Sequence, residues 1–365
     1  ISRGLVGSEM CIRDSASAAV LVVAGLVNPV VWALMRIVTG FSFAGMYIVC
    51  ESWLNDKATN ETRGQMLSLY MIISMGGLGI GQLMIGAGGD DSIVLFLLAS
   101  VLVSIAVVPV LLSATSAPTF EEPERMSMRR LMQVSPLAVV GLGINGIAVS
   151  MLFGMGAVYG LSIGLDNAEV GYFMTAPVVG ALILQYPVGR LSDRFDRRMV
   201  ILGVAVMGGV AAATATLFGR GEFAFLLLCM LVYGGSLFPL YSLCIAHAND
   251  FLTPRQMVAA ASGLVMVNGA GAVFGSPLAA LSIEFFGVTS FFVLITITQV
   301  MIGGFALFRM TRRAAVPNEA QGTFVAIPES SSALAVSLNP EAEWIAATDE
   351  FGEDDDPFRD NPYVT

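Results

Sequence analysis

Charge is scarce in this chain. Only 13% of its 365 residues are charged, 56% are hydrophobic, and mean hydropathy is +0.77. A soluble globular domain carries about 25% charged residues, so that class is excluded. There is one histidine, His247, and none of the four cysteines stands in a CxxC pair. Neither a zinc ligand set nor a disulfide framework is written into such a pattern, and no metal or cofactor is expected. Cys50, Cys229 and Cys244 read as small apolar packing residues. A nucleophile with its base, a phosphate loop and an ATPase motif are also missing, so the chain does not read as an enzyme. The net charge of −10 is misleading. Residues 316–365 hold 11 acids and one base, Arg359, while the remaining 17 acids and 17 bases cancel. Acidity belongs to the tail, and no nucleic-acid surface is implied.

What is present is a series of apolar runs roughly 20 residues long, the length of membrane-spanning helices rather than of barrel strands. Full spans are expected at about 30–54, 64–87, 93–112, 137–164, 170–189, 199–218, 223–246, 258–286 and 289–308, making nine. Trp32 and Trp53 stand near the two ends of the first, where interfacial anchors would sit. The run at residues 16–27 reaches only about 18 Å and cannot cross a core of about 30 Å, so it reads as a partial span. Residues 1–15 are polar, resemble translated adaptor sequence and are set outside the fold. The expected organisation is a partial N-terminal bundle at 16–113, a connector at 114–134 with Arg125, Arg129 and Arg130, a six-span bundle at 135–309, and a disordered acidic tail at 310–365.

Six charges crowd between two spans in GRLSDRFDRRMVI, residues 189–201. Such a run is costly in hydrocarbon and must be a turn between spans. Its pattern resembles the loop motif of the major facilitator superfamily of secondary transporters, carried here by Gly189, Leu191, Asp193, Arg194, Arg197 and Arg198. The Arg36 and Gly40 pair resembles the superfamily's fourth span. Residues 51–64 and 239–257 look like its bacterial YcaD-like subgroup. The glycine-rich run at 76–86 lacks the inner proline that drug antiporters of the superfamily often carry. Threading the spans puts thirteen basic residues on one side and only Arg220 on the other, which makes the first side, and the tail with it, cytoplasmic by the positive-inside rule.

An internal repeat supports two bundles. Gly40, Tyr47, Asn55 and Asp56 recur as Gly234, Tyr241, Asn249 and Asp250; Arg63, Gly77 and Gly79 recur as Arg255, Gly269 and Gly271. The resemblance then implies an all-α integral membrane protein of the two-bundle major-facilitator type, natively of twelve spans, with nine full and one partial here. The first copy of the loop motif, two spans and part of a third are expected upstream. The implied activity is secondary transport of a small solute by alternating access, proton-coupled, in a bacterial inner membrane, with the lipid bilayer, a solute and protons as partners. The alternative is a membrane sensor or scaffold that keeps the fold without transport.

Candidate residues follow. Arg36 is a charge inside a span, read as a coupling or solute residue or as an arginine snorkelling to the interface. Glu51, at a cytoplasmic helix end, is read as a coupling or solute residue, as a gating group or as a solvated cap; Asn55, Asp56, Asn249 and Asp250 mark the repeat-related cytoplasmic ends, with Asp56 and Asp250 as gating groups or solvated caps. His247 reads as a packed or capping residue rather than a proton shuttle. Gln82, Asn145, Gln185, Asn268 and Gln299 are candidates for the solute site or for interhelical hydrogen bonds. Gly77, Gly81, Gly269, Gly271 and Gly275 are expected on helix-packing faces, and Asp193 is expected to face the amino end of the span that starts near Thr62, Arg63 and Gly64.

Overall fold

The computed structural model describes residues 2–59, 62–87, 92–106, 126–219, 221–317, 320–339 and 341. Helices account for nearly all of the order: α1 (Ser2–Gly25), α2 (Pro29–Lys57), α3 (Arg63–Ala87), α4 (Ser92–Ala106), α5 (Met128–Val134), α6 (Pro136–Ser162), α7 (Asn167–Ser192), α8 (Arg197–Phe218), α9 (Phe223–Asn249), α10 (Pro254–Phe286) and α11 (Ser290–Met310). A short 3₁₀ helix follows at Ala333–Leu338. No strand occurs among the described residues. Eight of these helices are long and apolar enough to cross a membrane. The remaining expected span, at 93–112, is seen as Ser92–Ala106, and its expected continuation to residue 112 lies outside the described residues.

Local chemistry sets the helix starts. Asn28 caps α2, its Oδ1 accepting from Val30 N (2.9 Å) and Val31 N (3.3 Å), with Pro29 at the first helical position, where a missing N–H costs nothing. Trp32 then donates its ring N–H to Val23 O and Leu26 O, fastening α2 to the end of α1. A reciprocal box between Asp166 and Glu169 starts α7.

The carboxy-terminal helices form the core. α6 packs on α10, α7 on α9 and α8 on α11, with α9 reaching both α6 and α8. On the amino-terminal side α1 packs against α2 and α4, while α3 lies along α7. Between 44% and 61% of the apolar window of each of the six carboxy-terminal spans is buried, against 11% in α2. The outward side chains of α2, such as Ile37 and Phe41, therefore need an apolar surround of lipid or protein.

Close helix approach depends on glycine at many places, of which two helix pairs are examples. A Cβ on Gly234 of α9 would run into the Pro177 backbone of α7, and one on Gly180 into Leu231 O. Gly271 and Gly275 of α10 lie in the same way against Gly143 and Ile147 of α6. Gly77, Gly81 and Gly269, expected on packing faces, instead look into open space, because they lie on helix faces turned away from neighbours.

Two boundaries differ from expectation. α1 runs without a break through residue 15, so the polar start is continuous with the apolar run in one helix. The tail does not leave the fold at residue 310: residues 320–339 fold back among the helices, burying Ile327, Ala335, Val336 and Leu338. Residues 342–365, which carry most of the tail's acids, lie outside the described residues.

The glycine contacts make a paired prediction. Gly234→Val should destabilise the purified protein by about 1–3 kcal/mol through overpacking against Pro177. Gly269→Ala should be neutral or stabilising by up to about 1 kcal/mol, from helix propensity alone. Thermal unfolding in detergent measures both, and equal effects would remove the packing distinction.

Candidate functional site

The α7–α8 turn is a knot of paired charges. Asp196 caps α8, accepting from Arg198 N at 3.0 Å, and its carboxylate is gripped by the Arg198 guanidinium, with Nη2 to Oδ2 at 2.7 Å. Burial by itself would raise the Asp196 carboxyl, but the bonds from Arg198 outweigh it and hold the group below its ordinary range. Arg198 Nη1 also donates to Arg313 O (2.7 Å), and Arg313 donates to Val134 O (2.8 Å) with its guanidinium 4.0 Å from the centre of the Phe251 ring. Burial and the neighbouring Arg309 and Arg198 push Arg313 down to about 10. This chain of contacts joins the starts of α6 and α8 to the α9–α10 loop and the end of α11.

Arg197 turns inward. Its Nε lies 3.2 Å from Asp250 Oδ2, and both side chains are almost fully buried. Burial pushes the Asp250 carboxyl up to about 7, while Arg197 and the Gly322 N–H pull it back. Arg197 Nη2 donates to Gly322 O at 2.5 Å, and Gly322 N donates to Asp250 Oδ1 at 3.2 Å, so the pair holds both sides of one residue of the tail. Phe324 N donates to Asp193 Oδ1 at 2.7 Å, and the Phe324 ring lies where a Cβ on Gly189 would be. The expectation that Asp193 faces the start of α3 is therefore corrected: residues 320–339 claim its carboxylate instead. Leu191 and Arg194 lie exposed.

Deeper in, polar side chains from several helices line a cleft between the α2–α3 side and the carboxy-terminal core. Glu51 of α2 is fully buried and accepts from Tyr70 OH (2.7 Å) on α3, from Ser332 N (3.1 Å) and from Ser332 Oγ. Gln185 Nε2 of α7 donates to Ser242 Oγ of α9 (3.1 Å). Asn145 of α6 and Asn268 of α10 both donate their amides to Glu329 Oε1, at 3.4 and 3.1 Å. Asn55 Nδ2 reaches Leu334 O at 3.0 Å. No cluster of His, Cys, Asp and Glu with metal-binding geometry occurs among the described residues.

The chain compares clearly with known proteins. A family model described as Major Facilitator Superfamily matches residues 137–346. The chain belongs to the major facilitator superfamily. Relatives named "Uncharacterized MFS-type transporter YcaD" from Escherichia fergusonii, Shigella flexneri serotype 5b and Escherichia coli O6:K15:H31 are each 25% identical over 269 residues, covering 72% of this chain and 68% of the relative. A membrane-transporter family with bacterial relatives, together with eight span-length helices, makes this a multi-pass inner-membrane protein of the transporter class rather than an enzyme.

Within this major-facilitator chain the structure gathers some expected residues and leaves others apart. Glu51, Asn55, Asn145, Gln185 and Asn268 meet in the cleft, whereas Asp250 joins the charge knot. Arg36 lies exposed on α2, its side chain bonding to no described residue. Asp56 pairs with Lys57 at 3.0 Å near the helix end, the Oδ1 of Asn249 is buried without a hydrogen-bond partner among the described residues, and Gln82 is on α3 where that helix meets Gly171 of α7. Gln299 is buried in the carboxy-terminal core, where a Cβ on Gly208 of α8 would contact it. Sequence reasoning misses Tyr70, Ser242, Glu329 and Ser332. Ser242 follows Tyr241 of the repeat, which is a usable signal; Glu329 and Ser332 are hidden when the tail is read as one acidic segment.

The buried Arg197–Asp250 pair predicts a non-additive result. Arg197→Ala or Asp250→Ala alone should cost roughly 3–5 kcal/mol, because each leaves its partner buried and uncompensated, while the double variant Arg197→Met with Asp250→Leu should recover most of that loss. Unfolding in detergent across the four proteins measures it. Losses that simply add would show that the two charges do not depend on one another.

Proposed function

We propose that the chain is a secondary active transporter that moves a small solute by alternating access between its amino-terminal and carboxy-terminal helices, coupled to protons, with the arginine-rich end in the cytoplasm. The observation that carries this reading is the cleft: Glu51, Tyr70, Asn145, Gln185, Ser242 and Asn268 bring hydrogen-bonding groups into the interior of an apolar bundle. Packing alone gives no reason to put them there, and polar residues at this depth mark solute or ion paths. Glu51 is the proposed proton carrier. It is buried with no basic side chain in ion-pair range among the described residues, so its charge is free to change with loading. Arg36 is outside the proposed machinery, since it lies exposed on α2 and bonds to none of the cleft residues. The thirteen basic residues on one side support the orientation.

Solute counterflow in proteoliposomes, with an internal pH dye and a panel of small solutes, tests the proposal. At least one solute should exchange, and its entry should move protons. Glu51→Gln should keep counterflow but lose accumulation driven by a pH gradient, and the dye response should fall by about tenfold or more. Binding of a solute with no flux would favour the sensor. Gradient-driven accumulation by Glu51→Gln equal to that of the parent would remove Glu51 from coupling.

A further inference from the structure

The cleft already holds a peptide, and it is the chain's own. Starting at the charge knot, Gly322 is held by Arg197 and Asp250, and Phe324 by Asp193 beside Gly189. Ile327 then exchanges bonds with one side chain in both directions: its N–H donates to Ser242 Oγ at 3.1 Å, and Ser242 Oγ donates to Ile327 O at 3.2 Å. Glu329 sits between Asn145 and Asn268, Ser332 is on Glu51, and the Leu334 carbonyl takes the Asn55 amide. The 3₁₀ turn that follows buries Ala335, Val336 and Leu338 in a cluster that includes Leu67, Tyr70, Tyr241 and Leu264. Helix side chains thus grip the backbone of residues 322–334 along its length, as a protein grips an extended peptide.

We propose that the cleft is a peptide-docking site whose resident ligand is residues 320–339, and that this segment is an autoinhibitory plug, closing the path until it leaves. The regulatory part rests on the transporter reading; the occupancy does not. Three observations join here. The plug bonds to residues on both sides of the cleft, Glu51 and Asn55 on α2 and Asn145, Ser242 and Asn268 on the carboxy-terminal core, so while seated it ties together the halves that alternating access must separate. It covers the polar groups proposed to meet the solute. Its fit is incomplete at the centre: Glu329 Oε2, Asn145 Oδ1, Asn268 Oδ1 and Gln185 Oε1 are buried without a hydrogen-bond partner among the described residues, which marks a ligand that can be displaced more than a finished core.

The test uses the full chain in nanodiscs, with Ala246→Cys as the reporter, a buried position beside Gly322, Val325 and Ile327 that makes no side-chain hydrogen bond to the plug, and maleimide labelling read site by site by mass spectrometry. Seated, the plug should keep the thiol introduced at position 246 nearly inert. In the same chain carrying Ile327→Asp and Glu329→Lys, labelling there should rise by about tenfold or more as the seated population falls. A synthetic peptide of residues 320–339 should restore protection, with Cys229 as the internal control for an intact fold. Equal labelling with and without the plug substitutions overturns the proposal. Should the double variant not fold, hydrogen exchange on the unaltered chain decides: the amides of Phe324, Ile327 and Ser332 should be protected, and exchange at the free-peptide rate overturns the plug. Flux separates the two readings. Faster flux in the plug variant supports inhibition, and unchanged or slower flux overturns it. If neither chain moves any solute, the transporter reading fails while labelling still decides occupancy.

Discussion

Hydrocarbon supplies no hydrogen bonds, and that constraint arranges the polar side chains of this molecule. A buried donor or acceptor left unpaired costs several kcal/mol in such surroundings, so polar groups collect where they can serve one another. Many of them collect in two places, the charge knot at one end of the helices and the cleft beneath it, while others are buried apart from both, such as Gln299 in the carboxy-terminal core and Ser150 paired with Ser276 between α6 and α10. Outer faces carry residues such as Ile37, Phe41, Val206 and Val300, which ask nothing of their neighbours but apolar contact. Residues 320–339 enter the molecule where backbone N–H and C=O groups find partners. Ile327, Ser332 and Leu334 all bond to cleft side chains through their backbones.

The knot resolves a local conflict. Arg197 and Arg198 open α8, and basic residues at a helix amino end sit against the positive end of the dipole. Asp196 and Asp250 remove that penalty by pairing with one arginine each, and the Arg197–Asp250 contact ties α8 to the end of α9. Gly189 and Asp193, one helical turn apart at the end of α7, face the same way and both meet Phe324. The spacing of the loop motif therefore has a physical reading in this chain. The glycine leaves room for a ring, the aspartate four residues later holds the backbone beside that ring, and the first arginine of α8 clasps Gly322 just before it.

Much of this is legible in the sequence, and the failures have identifiable causes. Helices of span length, the turn at 189–201 and the matched ends of α2 and α9 follow from charge and hydropathy, which act over whole segments and survive the loss of detail. The tail fails because its charge is pooled. Nine of its eleven acids lie at 341–365, while residues 322–338 carry a single charge, Glu329, among Phe324, Val325, Ile327, Leu334, Val336 and Leu338. Divided at residue 340, it reads as an apolar segment followed by an acidic one. The glycines fail for another reason. Spacing places Gly77 and Gly81 on one face of α3 but does not say which face a neighbour will cover, and here the covered glycines of that helix are Gly79 and Gly86, which meet Val178 and Ala168 of α7.

The plug and its seat are unequally matched along their length. At one end an arginine–aspartate pair holds Gly322; at the other, a buried carboxylate accepts from both the backbone and the side chain of Ser332. Between them Glu329 meets two amides, and the inventory there is short of donors: one carboxylate oxygen and the side-chain carbonyls of Asn145, Asn268 and Gln185 have none among the described residues. Turning the two asparagine amides over does not cure this, since their Nδ2 groups would then leave Glu329 Oε1. Each unpaired acceptor costs about 1–3 kcal/mol, so the segment is held by its ends and by apolar burial against a mismatch at its middle. A strap of that kind is strongest where it closes the mouth of the cleft and weakest at Glu329, the position where a competing ligand rich in hydrogen-bond donors would gain most by replacing it.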